Sequence, residues 1–295
     1  MGHAALTLSR GMRAFAATLS MIKFQHTLFA LPFALTGACL AARGRPAGRE
    51  VVWILGAMVG ARSAAMVFNR IADLDYDRRN PRTADRPLVT GELRPGFAWG
   101  FLAASVALFI LSAAMLNRLA LLLAGPALVV ILSYSFAKRY TVLTHLHLGV
   151  SLGLAPLGAW VGVRGAVDTA PLVLAAAVAL WVAGFDIIYS CQDVAFDRRE
   201  GLHSIPRRFG IESALRLSAA AHAVAALLFM ALPLVAPLGA AYLTGVGLTT
   251  ALLIYEHHLV RPDDMTRVNQ AFFTINGFVS LLMLAATCAD LWLPA

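Results

Sequence analysis

Nine stretches of about 20 mostly apolar residues run through this chain of 295, near 24–42, 51–70, 97–116, 118–136, 144–163, 170–190, 214–233, 238–256 and 270–290. A helix of that length crosses a hydrocarbon core of roughly 30 Å. Hydrophobic residues make up 59% of the sequence, charged residues 14%, and the mean hydropathy is +0.73, which is more apolar surface than a water-soluble domain can hide. The expected fold is therefore all-α: a polytopic membrane protein of about nine transmembrane helices.

The net charge of +8 is distributed as a topology signal and not as a nucleic-acid footprint. With alternate loops assigned to opposite sides, 18 Lys and Arg fall on the side of the N-terminal tail and 5 on the other, Arg62 lying inside a span. The positive-inside rule puts the tail on the cytoplasmic side and the C-terminus outside. Residues 1–21, which lack a convincing cleavage site, are expected as a cytosolic tail and 22–290 as one membrane domain. Cys39, Cys191 and Cys288 are isolated in sequence, which argues against a metal site or a disulfide scaffold.

Acidic residues are scarce, 16 in all, yet one signature occurs twice on the cytoplasmic side. The second apolar segment ends in Asn69, Asp73 and Asp77, and the sixth in Asp186, Tyr189, Asp193 and Asp197. On a helix each set falls on one stripe, neighbours about 5–6 Å apart. Stacked like charges destabilise a helix, so a carboxylate ladder needs either open solvent or a cation. Mg2+ takes oxygen ligands, uses one or two protein carboxylates and shares the rest of its shell with water and substrate phosphates. Two facing ladders could thus hold a diphosphate through bridging ions. Arg78, Arg79, Arg82 and Arg86 follow the first ladder, and Arg198, Arg199, Arg207 and Arg208 the second; such residues either grip phosphate oxygens or face headgroups and cytosol. Lys138 and Arg139 close the fourth segment on the same side, where a lysine either meets diphosphate or snorkels to the interface. Arg62 stands seven residues before Asn69 on the same face, and a charge inside a span either serves a cavity or pairs structurally.

These residues resemble the UbiA superfamily of intramembrane prenyltransferases. Asn69, Asp73 and Asp77 match its Asn-x-x-x-Asp-x-x-x-Asp pattern, with Arg62 before it and Arg82-Thr83, Arg86-Pro87-Leu88 and Gly91 after. Asp186, Tyr189, Gln192, Asp193 and Asp197 match the second motif, continued by Gly201, Ser204, Phe209 and Gly210, while Tyr134 with Lys138-Arg139 resembles the pattern after the fourth helix. The resemblance spans about residues 22–290 and implies a helical bundle around a central cavity with helical cytoplasmic cap loops, in a bacterial-type inner membrane. It implies Mg2+-dependent transfer of a polyprenyl group from polyprenyl diphosphate to a small aromatic acceptor on a ubiquinone or menaquinone route. Asp73, Asp77, Asp193 and Asp197 are then the catalytic carboxylates and, with Asn69, the metal ligands. Arg62, Arg82, Lys138, Arg139 and Tyr189 join Asn69 as candidate substrate contacts. Where many 4-hydroxybenzoate enzymes begin with Arg-x-Asp-Lys-Pro, this chain has Lys23 and His26, either acceptor contacts or interfacial residues. Other acceptors, as in haem farnesyltransferases or lipid alcohol prenyltransferases, and an ion-coupled carrier are the competing expectations; the acids cluster at cytoplasmic ends, unlike those of a carrier. A polar stripe of Asn269, Phe272, Asn276 and Ser280 in the last segment either lines the cavity or joins helices through hydrogen bonds.

Overall fold

The computed structural model describes residues 27–292 together with 17, 18 and 21; Lys23 and His26, and most of the tail, lie outside the described residues. From residue 27 to 292, twelve helices follow one another: α1 (Thr27–Ala41), α2 (Gly48–Ala72), α3 (Leu74–Arg79), α4 (Pro95–Leu116), α5 (Arg118–Tyr140), α6 (Thr144–Arg164), α7 (Thr169–Ser190), α8 (Val194–Arg199), α9 (Ile205–Phe209), α10 (Ile211–Ala231), α11 (Ala240–Leu259) and α12 (Val268–Trp292). The only β pairing among the described residues is one isolated bridge, Arg261 with Asp264.

Among the described residues seven helices, against the nine expected, are long and apolar enough to cross a membrane. The other two lie where the first and eighth spans were expected. In α1 the described helix has 15 residues, and in α11 the last turn carries Glu256, His257 and His258, which lower its hydropathy. The chain is a multi-pass membrane protein, and its outer surface agrees: Val52, Leu122, Val129, Leu227, Leu248 and Phe278 stand exposed in mid-helix, as lipid-facing side chains do.

Between helices the burial pattern inverts. The most enclosed span is α7, which packs against α6 on one side and α10 on the other; α1 lies against α6 and α12, and α2 against α4 and α5. Close approach is set by small residues, since lipid supplies no hydrophobic drive for helices to associate. A Cβ added at Gly149 of α6 would sit 2.0 Å from the Ala179 carbonyl oxygen of α7, and one at Gly153 2.6 Å from that of Ala175. Several buried polar side chains are paired across the bundle. Asn276 accepts from the Trp181 indole (2.8 Å) and donates to Glu256 (2.8 Å), so this member of the polar stripe joins helices, next to a π-helical turn at Ala271–Ile275. Cys39 and Cys288, distant in sequence, bring their sulfurs within 3.8 Å where α1 meets α12, both as free thiols.

The α6–α7 contact yields a paired prediction. Gly149→Ala forces backbone apart and should cost on the order of 1–3 kcal/mol, whereas Gly158→Ala on the open face of the same helix meets nothing within 4 Å and should leave stability equal or slightly raised. Thermal unfolding midpoints in detergent check the opposite signs.

Candidate active site at the junction of two acidic motifs

Both motifs fold the same way. Each span runs into a short helix through an aspartate with nearly identical backbone angles, Asp73 at φ −98°, ψ 10° and Asp193 at φ −98°, ψ 3°. In the first, backbone bonds from Asp73 to Asn69 (2.9 Å) and from Asp77 to Asp73 (2.8 Å) preserve the i, i−4 ladder across the junction, so Asn69, Asp73 and Asp77 keep one stripe. In the second, a 3-10 turn at Cys191–Asp193 joins α7 to α8.

The two motif helices meet. Arg199, at the end of α8, donates to the Arg79 carbonyl at the end of α3 (3.1 Å), and Arg79 pairs with Glu200 (3.1 Å). Arg82, just beyond α3, reaches across to hold both carboxylate oxygens of Asp193, from Nε at 3.0 Å and Nη2 at 2.8 Å, and donates from Nη1 to the Tyr189 hydroxyl (3.1 Å). This fork geometry is the strong form of a carboxylate contact.

The carboxylates do not stand as bare ladders, as the sequence suggested. Each is matched with a cation: Asp73 with Arg139 (3.0 Å), Asp193 with Arg82 and Asp197 with Lys138 (3.5 Å) across segments, and Asp77 with Arg86 (2.5 Å) within the first motif loop. Asn69 donates to Asp73 (2.8 Å) and accepts from Arg70 (3.0 Å). The reason is electrostatic: four carboxylates gathered at the edge of a low-dielectric bundle repel one another, and buried charges persist only when paired. Burial pushes the Asp73 carboxyl above the usual carboxylate range, against the opposing pull of Arg139. Burial also disfavours the charge on Arg82, but Asp193 and Tyr189 outweigh it and hold the guanidinium above its ordinary pKa.

A cavity of about 180 Å³ opens beside these pairs, lined by Met21, Arg70, Asp77, Arg82, Asp85, Arg86, Pro87 and Leu88. Deeper in the bundle, Arg62 has two buried guanidinium nitrogens, Nε and Nη2, with no hydrogen-bond partner. Tyr134 of α5 lies within electrostatic reach of Arg62 and Arg70 of α2, of Asp73 and of Asp186 of α7. An aromatic wall begins at Tyr189, whose ring centroid is 4.2 Å from that of Phe272, and continues through Phe185 and Phe29.

Among the described residues, no three His, Cys, Asp or Glu side chains converge as a preformed metal cage. The donor chemistry nonetheless fits Mg2+: oxygens only, one amide and four carboxylates on two facing stripes, for an ion that takes few protein ligands and shares phosphate oxygens. His145, Arg70 and Glu200 were missed in the sequence. A histidine inside an apolar span, as His145 is, was the signal available.

The family model described as the UbiA prenyltransferase family matches residues 30–282. The 4-hydroxybenzoate octaprenyltransferase of Marinobacter nauticus is 30% identical over 256 residues, covering 85% of this chain and 86% of that one. A ligand-free UbiA homolog from Aeropyrum pernix superposes with a TM-score of 0.82 at 41% identity, covering 90% of this chain and 98% of that one. A UbiA homolog from Archaeoglobus fulgidus, bound to DMAPP and Mg2+, shares the fold with a TM-score of 0.72 at 22% identity, covering 94% of this chain and 99% of that one.

The Asp77–Arg86 pair is the most enclosed Arg–carboxylate contact of the site, its side chains 9% and 18% exposed. Asp77→Ala or Arg86→Ala alone should cost about 3–5 kcal/mol by stranding a buried charge, and the double replacement less than the sum. Unfolding free energies of the three variants in detergent check this.

Proposed function

Because the chain belongs to the UbiA prenyltransferase family, we propose that it transfers a polyprenyl group from polyprenyl diphosphate to 4-hydroxybenzoate or a related aromatic carboxylate, with Mg2+, on a ubiquinone or menaquinone route. The carrier expectation gives way to this enzyme family. The observation that carries the reading is the set of four carboxylate–cation pairs gathered at one junction: Arg82 of the first motif loop clasps Asp193 of the second, Lys138 and Arg139 at the end of α5 take Asp197 and Asp73, and Arg86 holds Asp77.

Asn69, Asp73, Asp77, Asp193 and Asp197 would hold Mg2+, which supplies electrophilic stabilisation of a departing diphosphate. Carboxylates engaged in that way release their cations, and Arg82, Lys138 and Arg139 are then placed to donate to phosphate oxygens. Tyr189 shares Arg82 with Asp193 and so fixes the fork on that side of the site. The aromatic cluster of Tyr189, Phe272 and Phe185 adjoins the site where Arg82 lies over the Tyr189 ring, and a ring face there would favour the allylic cation left behind. Apolar walls keep water from quenching that cation before an electron-rich ring carbon captures it.

Arg62 supplies the acceptor end. Its unpaired guanidinium nitrogens lie on the face of α2 that carries Asn69, seven residues deeper, where a carboxylate on the acceptor ring would satisfy them. Lys23 and His26 remain proposed acceptor contacts. The excess of Lys and Arg on the motif side supports a cytoplasmic active site in an inner membrane.

Membranes containing the protein, given a polyprenyl diphosphate and Mg2+ with 4-hydroxybenzoate, a dihydroxynaphthoate or haem, should yield a prenylated aromatic carboxylate by mass spectrometry; product from haem alone would reassign the acceptor. Asp73→Ala and Asp193→Ala should abolish transfer while inserting normally, and full turnover in either overturns the site assignment. Arg62→Ala should raise the acceptor KM by about 10- to 100-fold, the loss of a charged hydrogen bond worth roughly 1.5–3 kcal/mol, with the diphosphate KM unchanged.

A further inference from the structure

The motif carboxylates leave one acidic residue of the second stripe without a role. Asp186 stands seven residues before Asp193 on α7, as Arg62 stands seven before Asn69 on α2. Both helices run toward the motif junction, so both residues lie about 10 Å deeper than the acidic clusters. The layer beneath the diphosphate end therefore holds a cation, the Tyr134 phenol and a carboxylate, matching an aromatic acid that must shed a proton.

Asp186 is held by one oxygen only. His145 of α6, with a fully buried side chain, brings Nδ1 within 2.6 Å of Asp186 Oδ2. Its other nitrogen, Nε2, accepts from the Ile205 backbone N–H at 3.4 Å, which fixes the ring proton on Nδ1 and makes His145 the donor to Asp186. The second carboxylate oxygen, Oδ1, takes no hydrogen bond from a described residue, and the Asp186 side chain keeps 14% exposure. Each of the other motif carboxylates is matched with Arg or Lys. Asp186 is oriented by the imidazole of His145, its other oxygen left as a proton acceptor.

We propose that Asp186, oriented by His145, is the general base that removes the ring proton of the acceptor, an inference that rests on the prenyl-transfer reading above. Once the new carbon–carbon bond has formed, the attacked ring carbon bears both the prenyl group and its original hydrogen. That C–H bond breaks, its electron pair restores the aromatic sextet, and the proton passes to Asp186 Oδ1. It leaves to water when the product does. Asp186 is the catalytic residue of this step and His145 its positioning residue, anchored in turn by the start of α9 in the second cap loop.

The test is turnover of the full-length membrane enzyme with 4-hydroxybenzoate carrying deuterium at the ring positions that are prenylated, against the ordinary acceptor. Asp186→Asn should lower kcat by about 10²-fold, leave the diphosphate KM unchanged and raise the deuterium isotope effect above that of wild type, because proton removal becomes rate-limiting. His145→Gln, which removes the donor at the Nδ1 position, should shift both quantities the same way by less, and His145→Asn, which keeps a donor there, should restore most of the loss. A slow Asp186→Asn enzyme whose isotope effect equals that of wild type, or one with unchanged kcat, overturns the proposal. Should Asp186→Asn fail to fold, the isotope effect of His145→Gln decides: raised supports it, unchanged overturns it. Failure of the underlying reading is separately visible, since wild type would then form no prenylated acid.

Discussion

The energetics of this protein turn on charge held at the edge of a hydrocarbon slab. Four carboxylates and an amide are gathered where two spans end, and in a bundle whose walls are otherwise Leu, Val, Ala and Phe they survive only through direct pairing with Arg82, Arg86, Lys138 and Arg139. Three of these pairs draw the ends of α2, α5 and α7 together, because Arg82, Lys138 and Arg139 each come from a segment other than their partner's. The Arg82 fork on Asp193 closes the junction between the two motifs, which carries both signs of charge that the proposed binding of a metal diphosphate requires.

From that junction the site is graded along the bundle axis. At the mouth lie the ion pairs and the 180 Å³ cavity beside them. Below comes the layer of Arg62, Tyr134, Asp186 and the enclosed His145, and along one side runs the aromatic wall from Tyr189 to Phe29. Polar chemistry is confined to a narrow column while the outer faces of the helices stay apolar. Small residues such as Gly149 and Gly153 let α6 and α7 approach closely enough to set His145 against Asp186 across their interface.

Much of this was legible in the sequence, for physical reasons that can be named. Apolar runs of spanning length report helices directly, and the i, i+4 spacing of Asn69, Asp73 and Asp77 survives because the ladder of backbone bonds continues through the kink at Asp73. Side-chain partners were less legible. Spacing cannot tell a ladder awaiting an ion from one already neutralised, and the pairing of Asp77 with Arg86 or Asp197 with Lys138 depends on how loops fold back. Span number is less legible where a helix has only 15 described residues, as α1 does, or ends in Glu256, His257 and His258, as α11 does, so that length and composition among the described residues vouch for seven of the nine expected. His145 carries no motif; its meaning appears only when α6 is laid against α7.

The account stands or falls on whether the two acidic stripes act as one site. Its most direct test is an experimental structure of the membrane-embedded protein with Mn2+ in place of Mg2+ and a non-reactive prenyl thiodiphosphate, the ions located by anomalous scattering. The account predicts metal density at both Asp73 and Asp193 with the diphosphate between them, and Arg82 turned from Asp193 onto phosphate oxygens. Metal confined to one stripe, with Arg82 still clasping Asp193 and the diphosphate elsewhere, would contradict it.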